Sequence, residues 1–261
     1  MARAVSTVLD VSVCLLLVGV AVTTLGVAVP EDRTTIQGAE DRTTTSLGTV
    51  TASVPATDDR RVHDTLAGHL AAAAITSVSI EDERLGQSTY PDAVRRTVPE
   101  HVPERTRITV RWRPFPDAPL RGRLTVGPEP PSSAEVSATR MTIGSGMAPP
   151  ESATSFEALA RSFSVSYVTR LFPPERTRVA LVDPRTAERT ASRYRRFAAV
   201  LGVDIDDALA RASPRKANER LAGAIADRLT DDLRETYPSP SAAANDATVG
   251  EVELVVRRWK P

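Results

Sequence analysis

A chain of 261 residues has room for one or two domains and can bury a sizeable core. Its 33 basic and 33 acidic residues cancel, so no whole-molecule field draws it toward nucleic acid or an anionic membrane. The one cysteine, Cys14, excludes an internal disulfide and a thiolate metal cluster.

The first element is apolar. Val11 to Val29, VSVCLLLVGVAVTTLGVAV, carries no charge. As a helix it would be roughly 28 Å long, close to the hydrocarbon thickness of a bilayer. Asp10 falls near the end of such a span, where a carboxylate costs less than at its centre. A cleavable signal is the competing reading, with Thr24, Gly26 and Ala28 as its small residues; the length favours an anchor. Cys14 lies inside this run and is read as packing or touching lipid. Arg3 precedes the segment, and Glu31, Asp32 and Arg33 follow it without positive excess. The positive-inside rule then predicts a cytoplasmic N-terminus, with the bulk of a single-pass cell-membrane protein outside.

Arg3-Ala4-Val5-Ser6-Thr7-Val8-Leu9, leading into that segment, resembles the start of haloarchaeal type IV pilins and pilin-like proteins. The rest of the chain resembles haloarchaeal proteins of unknown function encoded beside pilus-assembly genes. The pilin resemblance implies a prepilin-peptidase cut between Ala4 and Val5, leaving Asp10 as the sixth mature residue. Many bacterial pilins carry near that place a glutamate that neutralises a neighbour's terminal amine, so Asp10 is a candidate assembly contact. Independently of the resemblance, Asp10 is read as reaching the interface or stabilising the positive end of the helix.

Residues 31–57 are rich in threonine, repeat E-D-R-T-T at 31–35 and 40–44, and read as a linker or an extended edge strand. From Asp58, Val62, Leu66, His69, Leu70 and Ala73 fall at helical spacing. A second helix is expected from Pro91, facing Val94 and Val98 inward and cut short by Pro99 and Pro103. Ile108, Val110 and Trp112 then alternate with polar residues. Leu120, Leu124 and Val126 follow a proline-rich turn, which predicts an antiparallel pair. Arg111, Arg113, Arg121 and Arg123 would share its other face, read as a solvated face in preference to a ligand-binding stripe. Glu135 to Ile143 is a candidate third strand.

Gly144-Ser145-Gly146 lacks the pattern of a nucleophile elbow and reads as a loop. Three helices are then predicted. Phe156, Leu159, Phe163, Tyr167 and Leu171 form the stripe of the first, and Asp183-Pro184 starts the second. The third runs from Ser213-Pro214 to about Tyr237 with Leu221, Ile225, Leu229 and Leu233 buried. Val179 to Val182 is a candidate short strand between the first two. Glu251 to Trp259 is a final strand that can close the sheet.

His63 and His69 do not share a helix face, and Asp204, Asp206 and Asp207 read as helix capping in preference to a calcium loop. No catalytic, cofactor-binding or metal-binding set emerges, and no small-molecule or nucleic-acid partner is inferred. The expected fold is α+β: a membrane anchor over 1–30, a Thr-rich linker over 31–57, and an extracytoplasmic domain over 58–261 with an antiparallel sheet and amphipathic helices. The expected function is non-enzymatic, that of a pilin-like or accessory subunit of a surface filament or secretion apparatus. Its partners would be other subunits, met through the N-terminal helix. The alternative is a single-span surface protein binding a partner or an envelope component; an exported enzyme stands third.

Overall fold

The computed structural model describes residues 34–56, 61–80, 83–85, 88–150 and 153–260. Val11–Val29 lies outside them, as do Ala4, Val5, Asp10 and Cys14. Among the described residues no helix is long and apolar enough to cross a membrane. The chain divides into two units, residues 1–42 and 43–261, and every strand among the described residues belongs to the second.

The fold is α+β. Six strands form an antiparallel sheet: β3 (Val78–Ile80), β4 (Glu83–Arg84), β5 (Thr106–Trp112), β6 (Arg121–Val126), β7 (Val136–Gly144) and β8 (Glu251–Trp259), in the order β4-β3-β6-β5-β8-β7. Side chains alternate across a strand, so pairing Ile108 with both Val126 and Val256, and Val110 with both Leu124 and Leu254, puts these residues on one face. All six are buried. The predicted hairpin over 106–126 forms as expected. The final strand over 251–259 also forms and joins this sheet, between β5 and β7.

Three helices are central to the core beneath that face. In α4 (Phe156–Leu171), Leu159, Phe163 and Tyr167 recur every four residues. In α8 (Pro214–Thr236), Leu221, Ile225, Leu229 and Leu233 do the same and are fully buried. Trp112 stacks on Tyr167 at 5.7 Å and donates its indole N–H to Val249 O at 3.0 Å, and Tyr167 donates to Ile75 O at 3.1 Å. The third helix, α2 (Leu66–Thr76), lies so close to β6 that a Cβ on Gly122 would come within 2.4 Å of Ala74 O. Only glycine fits there.

Local expectations hold in part. Within 31–57 the edge-strand alternative holds for β1 (Thr51–Pro55), which pairs with β2 (Arg61–Thr65) in a separate two-stranded ladder, whereas α1 (Thr34–Thr49) is a helix where a linker was expected. Leu47, Ala52 and Val54 are core residues. The helix foreseen from Asp58 starts at Leu66, because Thr65 keeps an extended backbone and its hydroxyl accepts from Gly68 N–H. Val62 therefore belongs to a strand. Val179 to Val182 is not a strand but the end of α5 (Pro174–Val182). Pro174 presets the first turn, Thr177 N–H bonds Pro173 O, and Val179 and Val182 remain 70% and 65% exposed. The next helix, α6 (Ala187–Leu201), starts a turn later than Asp183-Pro184 suggested and ends at Gly202, whose φ of 68° is left-handed. The remaining helices are α3 (Tyr90–Thr97), α7 (Asp206–Ala210) and α9 (Pro240–Asp246).

Candidate functional site

The second face of the sheet is the most distinctive surface of the domain. Along β7 the residues on that side, Ala138, Arg140 and Thr142, are exposed while their neighbours are half-buried. The pairing register assigns to this side Arg84 and Arg121 (both partners of Ser79), Arg111 and Arg123, Arg107 and Arg257, and Arg140. Seven arginines thus meet only Glu251 and Glu253 among the paired positions. Arg111 stands directly opposite Arg123, and Arg107 directly opposite Arg257. Like charges at opposed positions destabilise a sheet.

Arg121 has an interaction of its own, and ion pairs reach other arginines of this face. Glu253 is shared between Arg111 at 3.8 Å and Arg140 at 3.6 Å, and Glu129 lies 3.7 Å from Arg107. At these distances and exposures such pairs are worth about 0–1 kcal/mol each. Thr109 and Val255, at the centre of this face, are nonetheless 3% and 4% exposed.

One end of the face is concave. A cavity of about 530 Å³ is lined by Arg84, Arg111, Arg113, Arg121 and Arg123 from the strands and by Arg95 from α3, with Ser79 and Thr125 between them. No acidic side chain lines it among the described residues. Six arginines line this concavity, Arg95 paired with Asp92 and Arg111 with Glu253, and arginine forks suit carboxylate or other oxyanion groups.

Arg111, Arg113, Arg121 and Arg123, singled out by their alternation, do come together. Arg84, Arg95, Arg107, Arg140 and Arg257 join them through pairings that no local pattern announces. The other foreseen residues go elsewhere. Buried His69 has both ring nitrogens engaged: Nε2 lies 3.0 Å from Ala52 O and so donates, leaving Nδ1 to accept from Tyr90 Oη at 2.6 Å. Nε2 of His63 lies 3.5 Å from Ser53 Oγ, and His101 Nδ1 donates to Thr97 O at 3.0 Å. Asp204 accepts from Asp206 N–H at 2.9 Å at the start of α7, and Asp206 accepts from Arg195 at 2.8 Å. Ser145 is buried in its loop and accepts from Met147 N–H. No group of three or more His, Cys, Asp or Glu placed to hold a metal occurs among the described residues.

Neither a curated protein nor a solved structure matches the chain. One family model does match, and it spans residues 9–259, from the start of the apolar segment through β8. The whole arrangement, arginine face included, is thus that of a member of the family of unknown function DUF7284.

Proposed function

We propose that the protein is a membrane-held interaction subunit, pilin-like or accessory to a surface filament or secretion apparatus, and not an enzyme. The N-terminal apolar segment would anchor it in the cell membrane with the N-terminus cytoplasmic, and would pack against neighbouring subunits. The domain outside would dock an acidic partner surface onto its arginine face. One observation carries the docking half: among the described residues, one sheet face holds seven arginines, two opposed pairs of them, and two glutamates at paired positions. Such a face is self-repulsive alone and is relieved by a partner of opposite charge.

The anchoring half rests on the uncharged run Val11–Val29 and on the resemblance around Ala4 and Val5. The family match takes in the apolar run. Asp10 would neutralise the terminal amine of a packed neighbour. The cavity at one end of the arginine face gives some weight to a second reading, a single-span protein that grips an acidic envelope component.

Two experiments test the halves separately. Protein extracted from native membranes should begin at Val5 on N-terminal sequencing; a start just beyond Ala28 would show a removed signal and end the anchor reading. For docking, Arg111→Glu combined with Arg123→Glu should leave the protein in the membrane fraction but abolish its co-isolation with partner subunits. Unchanged co-isolation would mean that the arginine face is not the contact.

A further inference from the structure

One edge of the six-stranded sheet is β4, two residues long; the other is β7, with nine. Proteins guard such edges with proline, lysine, a bulge or a very short strand. The β7 edge has none of these. Its sequence, VSATRMTIG, holds no proline or lysine. All nine residues pair with β8 in one unbroken register, from Val136 with Trp259 to Gly144 with Glu251. Its one charged side chain, Arg140, reaches back over its own sheet to Glu253 at 3.6 Å.

The register also fixes which backbone groups point outward. Just past the strand, Ser145 donates its N–H to Gly250 O at 2.8 Å, and this pair continues the β7–β8 register. Opposed residues of an antiparallel ladder alternate between exchanging both bonds and exchanging none. The odd-numbered residues of β7 therefore bond β8, and Val136, Ala138, Arg140, Thr142 and Gly144 turn their N–H and C=O groups to the other side. Among the described residues no strand pairs with that side. The core is also unfinished along this edge. Met141 and Ile143 are half-buried, where Ile108 and Val110 of the interior strand β5 are fully buried.

We infer that β7 pairs antiparallel with β7 of a second copy of this chain, joining two sheets across a two-fold axis at Met141. Charge, length and fit select a second copy. The single charge of the edge has Glu253 beside it, so the edge suits a neutral strand like itself and not an acidic one. The opposite edge, β4, is too short to receive nine residues, which disfavours head-to-tail addition and leaves the closed, two-fold pairing. In that pairing Ala138 stands opposite Gly144 and Arg140 opposite Thr142, so no like charges are opposed. The two half-buried Met141 side chains then cover each other. An axis at Arg140 would instead set that arginine against itself.

Disulfide trapping of the full-length protein in native membranes tests this, with Cys14→Ser removing the natural thiol. Met141→Cys should oxidise to a dimer, because opposed residues of a non-hydrogen-bonded pair lie about 4.5 Å apart at Cα, within disulfide reach. Ile143→Cys should give none, since its two copies would sit about 14 Å apart along the strands. Thr142→Arg, added to Met141→Cys, should abolish the dimer by setting arginine opposite Arg140. Thr142→Glu should preserve it by facing Arg140 with an acid. Thr142 is exposed and stands opposite Glu253 within the domain, so arginine there is compatible with the fold. Association through the N-terminal segment alone would give no preference for position 141 over 143. No disulfide at 141, equal disulfides at 141 and 143, or a dimer that survives Thr142→Arg would overturn the pairing.

Discussion

His69 shows how much of this molecule is decided by single buried polar groups. It is fully buried, and its two nitrogens tie β1, through Ala52 O, to α3, through Tyr90. Removing the ring leaves a carbonyl and a phenol without partners in the interior, and an unsatisfied buried group costs about 1–3 kcal/mol. His69→Ala should therefore lower stability by roughly 2–5 kcal/mol, cavity included, as read from urea unfolding followed by circular dichroism. The tyrosines behave as a set. Burial raises the pKa of Tyr90, Tyr167, Tyr194 and Tyr237 above the ordinary phenol value. A pKa raised in the fold means that the unfolded chain loses its phenol protons first, so stability is fully present below pH ~10 and falls as pH rises above it. Alkaline titration should show tyrosinate absorbance appearing together with the loss of ellipticity. Phenols ionising well before unfolding would contradict this. Sequence spacing could not give His69 its role, because Ala52 and Tyr90 reach it from distant segments.

At the scale of elements, periodic patterns were readable in long elements with one buried face, though not in β1, whose Ala52 and Val54 are buried. Ile108, Val110 and Trp112 revealed β5, and Leu221, Ile225, Leu229 and Leu233 revealed α8, since burial imposes period two and period four directly. Two other failures fall where burial does not decide. Val179 and Val182 look strand-like but sit exposed on α5, and Arg61–Thr65 form a strand whose side chains are exposed or half-buried. The arginine hairpin was legible as a polar face; its strength was not, because β7, β8 and the β3–β4 pair bring Arg140, Arg257 and Arg84 from far along the chain. The Arg111–Arg123 opposition has a measurable cost. Arg123→Thr removes the repulsion and places a β-branched residue in a strand, so the isolated protein should gain about 0.2–1 kcal/mol at low salt. The gain should shrink as salt screens the wild-type face. A loss of stability at low salt would mean that this arginine is engaged within the domain and does not await a partner.

For the whole molecule, zero net charge conceals segregation. The helices pair Arg195, Arg211, Arg215 and Arg234 with acids, whereas one sheet face gathers seven arginines with two glutamates at paired positions among the described residues. The composition argument against an electrostatic partner holds for the chain as a whole and fails locally, since potentials at a surface follow the nearest charges and not the sum. The docking claim is tested most directly by photocrosslinking in intact native cells, with a photoreactive side chain at Thr125, between the arginines of the concavity, or at Val179 on exposed α5. The account predicts one discrete, larger adduct from position 125, none of the same size from position 179, and disappearance of the first when Arg111 and Arg84 are changed to glutamate. An adduct that survives both charge reversals, or position 125 giving no adduct at all, would contradict a role for the arginine face in docking.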